Sequence, residues 1–271
     1  MHHLARFTVR YGGELRFAGE ELPAPERVTL PTRYGAVRAF RYPGPAGGCY
    51  VHLHGGAFLM RHPAMDDFWC RYVRAVTGLS VVNVDFRAGP YVRYPVAQHE
   101  AHDAAAHLAR DGGPVAVGGF SSGGGLAAAV CLQARDTGSF TPVLQLLGVP
   151  ALDLAAEVDP DAPGMIAPAL RGLVRRVYFP EPATRTEPYA SPLLADDLTG
   201  LPPAVLLTAE RDSLRPDGEA YADRLEAAGV PVVRDCTPGA DHYFLSHDLR
   251  RARSTMALMA GEIARRTGTG D

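Results

Sequence analysis

The chain has 271 residues, 46% hydrophobic and 21% charged, with a formal net charge of -3. That is apolar material for one large core, and α/β folds often reach this length as a single domain. Scattered arginines, paired only at Arg175–Arg176, Arg250–Arg251 and Arg265–Arg266 on what read as solvated helix faces, exclude a nucleic-acid footprint, and no run approaches the roughly 20 apolar residues of a membrane span.

In chain order, Phe7–Arg10, Arg27–Leu30 and Ala36–Tyr42 are strand-like and broken by Gly and Pro turns. Cys49–Leu53 is a short run of β-formers that ends in glycines, so it reads as a buried strand feeding a tight loop. Asp66–Val76 has helical spacing of Phe, Trp, Tyr and Val, Ser80–Phe86 is an apolar strand, and Val96–Arg110 lacks Gly and Pro and suits a helix. Pro114–Phe120 is a strand followed at once by the helix SSGGGLAAAVCLQARD. Pro142–Leu147 is a strand, and 155–188 is an irregular insertion rich in Pro and Arg. Strand Ala204–Ala209, helix Pro216–Ala228, strand Pro231–Asp235 and a closing helix His247–Arg266 complete the chain. This alternation predicts a mostly parallel sheet covered on both faces.

Cys49, Cys70, Cys131 and Cys236 show no metal-ligand spacing and read as buried reduced thiols; no metal site is expected. MHHLARFTVR lacks the apolar core of a signal peptide, so a cytoplasmic location is expected.

The sharpest motif is Gly119-Phe120-Ser121-Ser122-Gly123, a GxSxG between a predicted strand and a predicted helix. Glycines two residues either side of Ser121 allow the backbone to cross itself, lifting the hydroxyl onto a strained turn at a helix N-terminus. His54-Gly55-Gly56-Ala57-Phe58 follows the Cys49–Leu53 strand. Its small residues suit a loop whose N–H groups face a developing oxyanion: Gly56, Ala57 and Ser122 as donors, with Gly55 shaping the loop.

A serine needs a base, and the base an orienting acid. After Ser121 only His242 and His247 precede the body of the closing helix. His242 lies in a turn after the last predicted strand and is the expected base, while His247 reads as a helix-terminus residue. Asp212, just past the Ala204–Ala209 strand, is the expected acid. Glu210 sits closer to the strand, Asp217 should face out from the next helix, and Asp241 is adjacent to the base.

These residues resemble the bacterial hormone-sensitive-lipase-like, HGG-motif group of α/β-hydrolases. HLHGGAF, GFSSGGGLAA, the block from SPLLADD to AAGVPV, and PGADHYF carry the resemblance, from about Ala36 to the closing helix. It implies an α/β-hydrolase fold over 1–271 as one domain. Family members often begin with a helical cap, and the atypical, strand-like N-terminal segment at 1–35 departs from that, so a reduced cap at 155–188 over an unusually open site is expected. It also implies carboxylesterase activity on short or medium acyl esters, with a small-molecule ester or acyl substrate and no metal or organic cofactor. A homodimer through the last strand or helix is compatible with the fold. Phe120 stands where the family has an acid, Gly125 where it has Asn, and Tyr91 where it has Glu, which brings efficiency on simple esters into question. Two other readings stay open: a specialised transacylase, lactonase, cyclase or dehydratase, and a non-catalytic ligand-binding hydrolase fold.

Overall fold

A computed structural model describes residues 24–157, 160–161 and 164–270. The strand expected at Phe7–Arg10 lies outside the described residues, as does most of the 1–35 segment.

Eight strands form one sheet: β1 (Glu26–Leu30), β2 (Val37–Tyr42), β3 (Cys49–Leu53), β4 (Ser80–Asp85), β5 (Val115–Phe120), β6 (Leu144–Gly148), β7 (Ala204–Ala209) and β8 (Val232–Thr237). Their order is β1-β2-β4-β3-β5-β6-β7-β8. β1 and β2 form a hairpin closed at Thr32–Gly35, where Gly35 takes the left-handed φ of 95° that the turn requires. β2 also runs antiparallel to β4, and every later pairing is parallel. β3 and β7 have the bounds read from sequence.

The helices are α1 (Asp67–Thr77), α2 (Val96–Leu108), α3 (Ser122–Thr137), α4 (Pro168–Val177), α5 (Arg215–Ala227), α6 (Phe244–His247) and α7 (Leu249–Thr267). The central strands are buried on both faces because strand side chains alternate. Val51, Val117, Leu147 and Leu206 meet apolar residues of α2, α3 and α5 on one face. Tyr50, Ala116, Leu146 and Val205 meet Trp69 of α1 and Met256, Met259 and Ile263 of α7 on the other. The closing helix, expected as one element, is two. Asp248 separates α6 from α7 and accepts the Arg251 N–H at 3.2 Å, the bond a helix N-cap makes.

Cys49, Cys70 and Cys131 are buried free thiols, and burial pushes the Cys49 thiol up to about 12. Cys236 departs from the expectation: it is exposed, because β8 is an edge strand. Among the described residues no helix is long and apolar enough to cross a membrane, and no group of His, Cys, Asp and Glu could hold a metal ion.

Parallel pairing delivers the loops after β3, β5, β7 and β8 to one edge of the sheet. Leu53 is level with Gly119, Phe120 with Gly148, and Ala209 with Thr237. In open parallel sheets this carboxyl edge is where ligands bind.

Candidate active site

Ser121 lies between β5 and α3, at the helix N-cap, with φ 57° and ψ -120°, a strained conformation for a residue with a side chain. The flanking glycines permit it. A Cβ on Gly119 would lie 2.3 Å from the Leu53 carbonyl oxygen, and one on Gly123 would lie 1.9 Å from it. The end of β3 therefore crosses the turn at a distance only glycine tolerates, which holds the HGG loop against the serine.

Three sequence-derived residues meet here. The Ser121 hydroxyl donates to His242 Nε2 at 2.8 Å, and His242 Nδ1–H donates to Asp212 Oδ2 at 2.7 Å. All three are buried, and Asp212 Oδ1 accepts the Leu214 N–H at 3.0 Å, which fixes the carboxylate. The rivals lie elsewhere. Exposed Glu210 accepts the Gly239 N–H at 2.6 Å and braces the loop that carries His242. Asp241 accepts its neighbour's N–H and the Met165 N–H at 3.1 Å. His247 is exposed and bonded to Ser246 and the Tyr243 carbonyl. Asp217, expected to face outward, is largely buried; Oδ2 has no hydrogen-bond partner, and burial pushes the carboxyl up to about 6.

The HGG loop is clamped from both sides. Gly55 donates its N–H to Asp66 Oδ2 at 3.2 Å, so that N–H is committed within the protein. The N–H groups of Gly56, Ala57 and Ser122 have no acceptor among the described residues. His54 Nδ1–H donates to the Gly55 carbonyl at 2.6 Å. Because a peptide unit is planar and trans, pinning that carbonyl also sets the direction of the Gly56 N–H. The His54 ring stacks on Phe86 at 4.4 Å, and burial lowers its pKa to about 4, so it is neutral near pH 7. Gly56 at φ 120° and Ala57 and Phe58, both at φ 55°, complete the loop's left-handed course.

Behind the loop lies a buried polar chain that the sequence did not reveal. Trp69 Nε1–H donates to the Tyr50 hydroxyl at 3.1 Å, Tyr50 donates to His52 Nδ1 at 3.1 Å, and His52 Nε2–H donates to Asp66 Oδ2 at 2.9 Å. Indole can only donate, which orders every hydrogen in the chain. Phe120 packs edge-on against His52 at 5.3 Å, so an aromatic ring fills the place of the family's acid. Gly125 has an equally local reason: a Cβ there would lie 2.2 Å from the Ala151 carbonyl oxygen. Tyr91 is largely exposed.

Tyr243 was also missed. Its hydroxyl lies beside Ser121 and 3.0 Å from where a Gly55 side chain would begin, and its ring meets His242 edge-on at 4.9 Å. Burial raises the phenol well above its usual range, so it remains a neutral donor. Sequence gave no signal for it beyond adjacency to His242.

Ser121 and Ser122 open into a cavity of about 50 Å³ lined by Ala57, Phe58, Leu170 and Val174. The expectation of an unusually open site does not hold for the described residues: Ser121 is 5% exposed and His242 1%, with Leu170 and Val174 of α4 lining the cavity beside them.

A family model described as alpha/beta hydrolase fold matches residues 50–246. The chain belongs to the α/β-hydrolase family. Within this family it is 32% identical to an arylesterase of Saccharolobus solfataricus, over 80% of this chain and 74% of the relative. It is 33% identical to an ethyl acetate hydrolase of Pseudomonas putida, over 80% of this chain and 74% of that one. Among solved α/β-hydrolase structures, an esterase of Pyrobaculum calidifontis superposes with a TM-score of 0.86 at 34% identity, covering 93% of this chain and 88% of its own.

Proposed function

We propose that this protein is a carboxylic ester hydrolase that works through an acyl-enzyme on Ser121. The observation that carries this reading is the Ser121–His242–Asp212 hydrogen-bond chain beside uncommitted N–H groups, at the carboxyl edge of the sheet. The esterase relatives support the same class of reaction.

In the first step Ser121 Oγ attacks the ester carbonyl carbon while His242 Nε2 takes its proton. Asp212 holds the imidazole tautomer and stabilises the imidazolium. The N–H groups of Gly56, Ala57 and Ser122 receive the oxyanion; loss of one such donor typically costs about 10²–10³ in rate. His242 then protonates the leaving alcohol, and water, activated by the same imidazole, releases the acid. A cavity of about 50 Å³ has room for roughly three or four water-sized groups, which suits a short acyl chain.

The test is hydrolysis of p-nitrophenyl acetate and butyrate. The wild type turns both over, and Ser121→Ala reduces kcat by at least about 10³. Equal rates in the two proteins would overturn the assignment.

A further inference from the structure

The cavity beside Ser121 is apolar on most sides, yet one wall carries two arginines. Arg171 and Arg175 are one helical turn apart on α4, so they share a face, and both line the cavity together with Ser121 and Ser122. Both are half-buried. Arg171 Nη2 reaches only the Asp153 carbonyl, at 3.5 Å, and Arg175 donates to the Ala156 carbonyl. Neither forms an ion pair among the described residues.

The nearest carboxylates are poor partners. Asp153 Oδ1 already accepts the N–H groups of Ala155 and Ala156, at 2.7 and 2.9 Å. Asp217 interacts with Arg171 only at a distance, and its burial disfavours its charge. Meanwhile Arg185 adds a third positive charge near Arg175, and burial together with Arg171 and Arg185 lowers the Arg175 pKa. Ser122 Oγ, 1% exposed as a residue and without a hydrogen-bond partner, faces the same space. Half-buried guanidinium groups held only by carbonyl oxygens are costly, and a bound anion would offset that cost.

We propose that Arg171 and Arg175 form a carboxylate-recognition site on the wall of the serine's pocket, so that the ester cleaved carries an anionic group. The proposal rests on the hydrolase reading for what the pocket does. The carboxylate can reside on the acyl arm or the alcohol arm of the ester, and two substrate pairs separate these. One pair is p-nitrophenyl hemisuccinate against p-nitrophenyl pentanoate. The other is meta-carboxyphenyl acetate against phenyl acetate.

The readout is the ratio of kcat/KM for the anionic over the neutral ester, measured in wild type, Arg171→Met, Arg175→Met and Arg175→Lys. Charge-assisted hydrogen bonds of this kind make one pair differ by about tenfold to a hundredfold more in wild type than in either methionine variant. Arg175→Lys retains part of the preference, and added salt weakens it in wild type. Ratios that are the same in all four proteins for both pairs would overturn the proposal. If a methionine variant fails to fold, the lysine variant and the salt dependence decide. The hydrolase reading is judged separately, by whether Ser121→Ala abolishes neutral-ester turnover. Should no ester be turned over, that reading fails, and calorimetry decides for the arginines: succinate binds the wild type and not Arg171→Met/Arg175→Met, whereas no binding to wild type overturns the site.

Discussion

Asp66 Oδ2 accepts the Gly55 N–H at 3.2 Å while it also accepts the His52 ring at 2.9 Å. One carboxylate oxygen thus ties the HGG loop to a buried chain that ends at Trp69. The direction of the neighbouring N–H groups is set through this oxygen, which the His52 ring holds in turn.

Asp66→Asn keeps the size of the side chain but weakens both bonds. Its expected effect is a fall in kcat of about tenfold to a hundredfold with KM within about threefold, since the loop is used chiefly once the oxyanion forms. Steady-state kinetics on p-nitrophenyl acetate checks it. A change confined to KM would show that Asp66 shapes binding instead.

Tyr243→Phe keeps the ring against His242 and removes only the hydroxyl near Ser121. The expected result is a kcat about tenfold lower with thermal stability unchanged within about 2 °C, because a neutral donor beside the reacting group is lost. If the melting temperature falls while kcat holds, Tyr243 is a packing residue.

Gly125→Asn restores the residue usual in the family, and here it should harm the protein. The new Cβ would lie 2.2 Å from the Ala151 carbonyl oxygen, so backbone must shift. An overpacking cost of about 1–3 kcal/mol corresponds to a drop of roughly 3–10 °C in melting temperature. A melting temperature equal to wild type would mean that the loop after β6 moves freely.

How much was legible follows from which forces are local. The GxSxG turn, the HGG loop and the strands that carry them could be read because glycine spacing and apolar runs reflect local backbone demands. Asp212 and His242 were readable from chain order and strand ends. Asp66 was not: it looked like the first residue of a helix, and its bonds to His52 and Gly55 span 14 and 11 residues of chain. Asp217 was misread as outward-facing because its helix, α5, is polar, and only the packing of that helix beside Asp153 and Arg171 buries the carboxyl. Cys236 was misplaced because a cysteine's own apolar character does not reveal that its strand, β8, lies at the sheet edge.

Asp217 gives a pH-dependent prediction. Its carboxyl is raised from 3.8 to about 6, mainly by burial, so between those values the folded state binds more protons than the unfolded one. Stability therefore falls as pH rises through about 4 to 6, and the penalty is complete above that window. Two pKa units correspond to at most about 3 kcal/mol. Asp217→Asn removes the titration, so the variant's melting temperature should gain on wild type between pH 4.5 and 7.5, by several degrees. A difference that is flat with pH would contradict this.

In the proposed mechanism Ser121 is a nucleophile driven by His242. Labelling with a fluorophosphonate, followed by peptide mass mapping, tests it most directly. One adduct on Ser121 is expected, with none in Ser121→Ala and labelling slowed at least about a hundredfold in His242→Gln. An adduct on Ser122, or labelling at the same rate without His242, would contradict it.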